Sequence, residues 1–320
     1  MRHGERGAAL LTVLLLVAVI SVMAASALER LRLSTRLAAN AVALDAARGY
    51  AYAAETLATT RVTSLLSQAR GRVALTGGWS GRPFGLPIPG GTATARVTDG
   101  GNCFNLNSLV VRAPDGSYAV NVESLQQLQR LARLLRVPDG DRVAAAAADW
   151  IDSDDSPLPG GAEDNDYRGY RTSGVLMADV SEMRAVRGVT PEVYRAMRPY
   201  LCALPLAQRT VLNVNTLLPE QAPLLAMLVG ESLSVEAAQG VLLRRPPDGW
   251  PNVDQMWAQL STQSGGASQV GAAQSTSVKT SWFALRVDVA LGNAELHEQG
   301  LIDARTLPVR LVTRQWGDAP

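Results

Sequence analysis

The sequence predicts an α+β protein in which one long N-terminal helix packs on a small antiparallel sheet, with a large all-α domain inserted between the strands. Three observations lead there. Residues 8–70 contain no proline and a single glycine, Gly49, and their first third carries no charge. Strand-like alternation appears at 92–98 and returns at 282–291 and 307–316. Between these segments, from about residue 122 to 249, helical spacing dominates.

The N-terminal helix comes first. A leader, residues 1–7, ends in Arg6-Gly7 and runs directly into the uncharged stretch 8–28, which is long enough to cross a bilayer. A secretory signal would carry its small-residue cleavage site beyond the apolar run. Here Gly7 precedes it, so cutting between Gly7 and Ala8 leaves the membrane helix on the mature chain. Arg2 and Arg6 place the N-terminus in the cytoplasm and the bulk outside, although Arg30, Arg32 and Arg36 beyond the span oppose that bias. Residues 29–70 continue the helix outward, with Leu31, Leu37, Ala38, Ala41, Val42 and Leu44 near helical spacing. The whole element is ~60 residues and ~90 Å long. Its outer half, with Tyr50, Tyr52, Leu57, Val62, Leu65 and Leu66, needs a sheet to cover it.

Residues 71–112 are read as the first part of that sheet domain. Turn residues fill 76–91, 92–98 alternates as an exposed edge strand would, Asp99-Gly100-Gly101 turns, and Cys103 to Asn107 begins a second strand. Residues 113–278 form the inserted helical domain and 279–320 complete the sheet. The Ser/Gly/Gln/Thr tract 263–281 reads as a loop or a partly disordered segment. Within the insert, 181–197 and 223–239 are weak repeats: an apolar helix, a glycine turn (Gly188, Gly230), and a second helix capped by Thr190 or Ser234. This pattern is SAM-like or helix-hairpin-helix-like, but it lacks the glycine pair and lysines of a DNA grip, so the repeats read as packing units.

Composition narrows the function. Formal charge is +1, and losing Arg2, Glu5 and Arg6 with the leader leaves the mature chain neutral; Lys279 is the only lysine. That balance excludes nucleic-acid binding by bulk electrostatics. His297 is the only histidine outside the leader, read as a surface residue in a turn, and no Gly-x-Ser-x-Gly elbow or phosphate-cradling loop accompanies it. Cys103 and Cys202 are the only cysteines. In an oxidising compartment such a pair reads as one disulfide, and two separate buried thiols are the alternative.

Residues 149–167 hold seven carboxylates and no basic residue. Hard oxygen donors on a glycine-containing loop suit Ca²⁺ far better than Zn²⁺. The spacing is not that of an EF-hand. Asp149 and Asp152 lie one turn apart at a helix end with Asp154 beyond, and Glu163, Asp164 and Asp166 approach from the other arm. A solvated acidic loop and a general acid–base pair are the competing readings.

Taken together, the chain resembles the K-type minor pseudopilins of the type II secretion pathway. The resemblance rests on Arg6-Gly7-Ala8-Ala9-Leu10-Leu11, Phe104-Asn105-Leu106-Asn107, Asp149-Trp150-Ile151-Asp152-Ser153-Asp154, Gly161-Ala162-Glu163-Asp164, Ser181-Glu182-Met183-Arg184 and Leu212-Asn213-Val214-Asn215-Thr216. It implies a pseudopilin fold interrupted by a calcium-binding helical domain, with Asp149, Asp152, Asp154, Glu163, Asp164 and Asp166 as candidate ligands and Gly7–Ala8 as the prepilin peptidase bond. It further implies an inner-membrane anchor with a periplasmic head, and a tip complex with I-type and J-type minor pseudopilins. The major pseudopilin and inner-membrane secretion components are the other expected partners. Most pilin-like proteins carry glutamate at the fifth mature position, and Thr12 stands there instead. Two rival readings are a DNA-uptake pseudopilin using the helical hairpins and a membrane-anchored hydrolase using the carboxylates.

Overall fold

Small residues at successive inward positions let the long helix lie close on the sheet. In the computed structural model, which describes residues 4–69, 71–264 and 270–317, helix α1 spans Gly4–Gln68. Ala47, Ala51, Ala54, Ala58 and Val62 recur every three or four residues and are all buried. They meet Ala93, Ala95, Val97, Phe283, Leu285, Val287 and Val289 in one core. Of the larger residues expected on that face, Val62 is buried, Tyr50, Leu65 and Leu66 pack at its margin, and Tyr52 is 46% exposed, because a close helix–sheet approach favours small side chains. Below this contact, residues 9–42 are exposed throughout.

The sheet has five antiparallel strands: β1 (Phe84–Ile88), β2 (Gly91–Asp99), β9 (Trp282–Leu291), β10 (Ala294–Asp303) and β11 (Arg310–Trp316), in the order β1-β2-β9-β10-β11. β2 is therefore internal, contrary to the edge position its exposed threonines suggested. The edge is β1, which tolerates Pro87 because an edge strand need not donate on its outer side. His297 likewise lies within β10 rather than in a turn, with Nδ1 2.8 Å from Asp288 Oδ1.

Between β2 and β9 the chain leaves the sheet and builds a second domain around its own core. Its short strands are β3 (Phe104–Asn105), β4 (Val110–Arg112), β5 (Tyr118–Val120), β6 (Leu201–Cys202), β7 (Leu212–Asn213) and β8 (Thr276–Ser277). Its helices are α2 (Val122–Leu134), α3 (Gly140–Asp149), α4 (Pro191–Met197), α5 (Ala222–Ala226), α6 (Val235–Leu243), α7 (Val253–Ser264) and α8 (Val270–Gln274). Phe104, Leu106, Leu109 and Val110 belong to this core, so the sheet domain ends near residue 101 rather than 112. The tract 263–281 is not simply a loop. It continues α7 and supplies α8 and β8, since Ala272, Ser275 and Thr276 find buried positions; residues 265–269 lie outside the described part. Gly188 and Gly230 adopt positive φ, and Thr190 and Ser234 cap α4 and α6.

Asparagines join the pieces by imitating peptide groups. Asn107 accepts from Met177 N at 2.7 Å and donates to Met177 O at 2.8 Å, as a neighbouring strand would. Asn215 does the same with Trp250. The Asn213 side chain donates to Val73 O and Thr280 Oγ1, and its backbone N–H donates to Asn102 Oδ1. Asp99, at the end of β2, accepts from Thr216 and Thr280 hydroxyls at 2.6 and 2.5 Å. Burial pushes its carboxyl up while these hydrogen bonds pull it down. The two chain crossings between sheet and insert are thus tied to each other and to the segment following α1. Cys103, just before β3, and Cys202, within β6, form a disulfide beside the β3–β6 pairing, with Cα atoms 5.7 Å apart.

Candidate metal centre

α3 is built from buried alanines 144–148 and ends on Asp149, which is fully buried. A carboxylate at a helix C-terminus faces the negative end of the helix dipole. Asp152 follows within a turn, its amide bonded to Ala148 O. The returning arm of the loop brings in Glu163, and Asp152 and Glu163 are each only 3% exposed.

Carboxylate oxygens of Asp149, Asp152 and Glu163 lie within 4.8 Å of one another. Asp149 is held by backbone amides, accepting from Ala162 N at 2.7 Å and from Leu158 N. The space beside it is filled: a Cβ on Gly161 would come within 1.8 Å of Asp149 Oδ2, so only glycine lets the loop close here. Among the described residues, Asp152 Oδ1 and Glu163 Oε1 are buried without a hydrogen-bond partner. Buried polar atoms rarely stay unpaired. Burial pushes Asp149 up to about 6 against the pull of its two backbone hydrogen bonds, and burial with repulsion from neighbouring carboxylates pushes Asp152 to about 8 and Glu163 to about 7.

The other candidates sit differently. Asp154 is exposed and caps a turn through Ser156 N, yet its charge raises all three buried carboxyls. Asp164 accepts from the Thr172 amide and hydroxyl and pairs with Arg171 at 3.6 Å. Asp166 pairs with Arg187. The structure therefore gathers three of the six and gives two others cationic partners from outside the acidic stretch, which its one-signed sequence did not reveal. Thr172 and the glycine at 161 are the contributors that sequence reasoning left unassigned. Trp150 meets Tyr167 edge-on and Tyr170 is tilted against both beside the loop, with ring centroids 5.1–6.1 Å apart. An all-oxygen donor set with two orphaned buried oxygens fits a hard divalent cation. Gly7 and Ala8 fall in the first turns of α1, with their surroundings outside the described residues.

A helix whose apolar end is long enough to span a bilayer and whose other end is laid on an antiparallel sheet defines a pilin-type subunit, here with an elaborated head. Two sequence families, both described as type II secretion system protein K, match residues 102–206 and 212–279, the insert itself. Type II secretion system protein K of Pectobacterium carotovorum subsp. carotovorum is 32% identical over 99% of this chain and 98% of its own length. That of Aeromonas hydrophila is 35% identical over 90% of each. The GspK-GspI-GspJ complex of enterotoxigenic Escherichia coli contains a chain 30% identical to this one. That chain superposes with a TM-score of 0.73 over 86% of this chain and 97% of its own. The chain belongs to the type II secretion system protein K family. These relatives are secretion proteins, which leaves the DNA-uptake reading without support.

Proposed function

We propose that this minor pseudopilin stands at the tip of the pseudopilus, bound to I-type and J-type partners, where it starts or caps assembly as a non-enzymatic component. The observation that carries this reading is the near full-length likeness to a chain solved in a GspK-GspI-GspJ complex. Thr12 supports it. Its hydroxyl is bonded to Ala9 O at 2.9 Å within α1, so the position brings no charge into the membrane. A buried glutamate there would be stable only when paired with a neighbour's ammonium, and a subunit lacking it loses that reason to sit beneath another. The apolar stretch of α1 anchors the chain in the inner membrane after cleavage between Gly7 and Ala8, and the two-domain head lies in the periplasm. The insert, with its paired SAM-like hairpins acting as packing units, adds bulk that obstructs a further subunit above.

Asp149, Asp152 and Glu163, with Asp154 at the rim, would hold Ca²⁺, which neutralises charge that the loop otherwise buries uncompensated. Its role is structural, stabilising the folded insert by mass action. Co-purification of the full chain with its I-type and J-type partners tests the assembly role. A stoichiometric ternary complex is expected, and failure of the three to associate contradicts it.

A further inference from the structure

A cavity of about 420 Å³ opens between the outer end of α1 and the loop leading into β1. Its floor is apolar and fixed. Trp79 is half-buried, its indole N–H bonded to Ala74 O at 2.7 Å and its ring set edge-on against buried Phe283. Leu65 and Phe84 complete the walls. Two exposed guanidinium groups, Arg61 and Arg82, stand in its lining. The Arg61 guanidinium lies 4.1 Å from the centroid of the Phe84 ring, which positions it. Among the described residues, no carboxylate lines the cavity and neither arginine has an acidic partner. Elsewhere on the head, exposed arginines such as Arg133 and Arg187 are matched by aspartates.

Charge and shape together select the occupant. A lipid headgroup of the anchoring membrane is excluded by distance, since Arg61 lies about 50 Å along α1 from the end of the apolar span. Two arginines on a neutral head are too few to hold a nucleic-acid backbone. An apolar floor beneath paired guanidinium groups suits a peptide segment with an acidic side chain next to an apolar or aromatic one. β1, whose outer side is unpaired among the described residues, begins at Phe84 and offers an edge along which such a segment can lie.

We infer that the Arg61–Arg82 cavity is a docking site for an acidic–apolar segment of a neighbouring minor pseudopilin. The inference rests on the assembly role proposed above. The test uses full-length chain in detergent with purified I-type and J-type partners. A photoreactive benzoylphenylalanine replacing Arg82 should cross-link to a partner peptide containing Asp or Glu. Arg61→Glu with Arg82→Glu should weaken association with that partner about tenfold or more, while the melting temperature stays unchanged and Arg61→Lys with Arg82→Lys keeps most of the affinity. Replacing the cross-linked acidic residue by Arg should restore binding to the double glutamate variant. Unchanged affinity of that variant, a cross-link to a segment without acid, or no rescue by the charge swap overturns the site while leaving the assembly role standing. Failure of the wild-type chain to bind either partner overturns both.

Discussion

Arg314 on the last strand grips Glu55 on the first helix, Nη2 to Oε2 at 2.6 Å, across 259 residues of sequence. Glu298 on β10 lies beside them, 1% exposed, with one oxygen 3.7 Å from Arg314 Nε. Two buried carboxyls thus share one guanidinium at the α1–sheet contact. Burial, and next the hydrogen bond and charge of Glu55, pushes Glu298 up to about 8, against the pull of Arg314.

That geometry sets a pH dependence. Folding raises the Glu298 value above its ordinary 4.5, so its contribution is most favourable at acid pH and is progressively lost as pH rises toward about 8. Glu298→Gln, a permanently neutral mimic, should stabilise the protein at pH 9 by about 1–2 kcal/mol and leave it nearly unchanged at pH 5. Denaturant titrations of both proteins at the two pH values check this; equal differences at both would show that Glu298 is ionised throughout.

Arg314→Ala should do the opposite at neutral pH. It strands Glu55 under the helix, and removing one partner of a buried pair costs about 3–5 kcal/mol. The same titrations measure it, and the loss should shrink with Glu55→Gln in the background.

The helix–sheet plan and the insert were legible because each has a periodic signature. An uncharged run, alternation on both sides of a helical block, and capped repeats at Thr190 and Ser234 need no knowledge of distant contacts. What escaped depends on partners far away in sequence. The buried stripe of α1 runs through Ala47, Ala51, Ala54 and Ala58 rather than its tyrosines, which only the proximity of β9 and β10 decides. In the acidic loop, composition marked the donors, but burial separates Asp149, Asp152 and Glu163 from Asp164 and Asp166, whose arginine partners lie outside the stretch. Asn107 and Asn215 were recognisable as motif residues, whereas their use as peptide mimics required the positions of Met177 and Trp250.

Asn107→Ala should therefore be costly without touching any ligand. It leaves Met177 N and O and Leu204 O without their partner, a loss of about 2–4 kcal/mol. Thermal melting of the variant, with its disulfide intact, reads the effect.

Reducing Cys103–Cys202, which closes a separation of 99 residues, should lower stability by about 2–4 kcal/mol. Melting with and without reductant, set against a Cys103→Ala/Cys202→Ala double variant that no longer responds to reductant, gives the measurement.

Gly161→Ala should separate loop closure from ligand chemistry. The added Cβ meets Asp149 Oδ2, so the variant should bind calcium poorly although every carboxylate remains. Calorimetric titration with calcium alone reads this as a loss of about tenfold or more in affinity.

The most direct test of the proposed calcium site is the melting temperature of wild type and an Asp152→Asn/Glu163→Gln variant, each in calcium and in chelator. Wild type should melt several degrees higher in calcium, and the variant should show no difference between the two conditions, because neutral amides relieve the buried repulsion without holding the ion. A wild-type melting temperature indifferent to chelator, or a variant that keeps the full calcium response, would contradict the account.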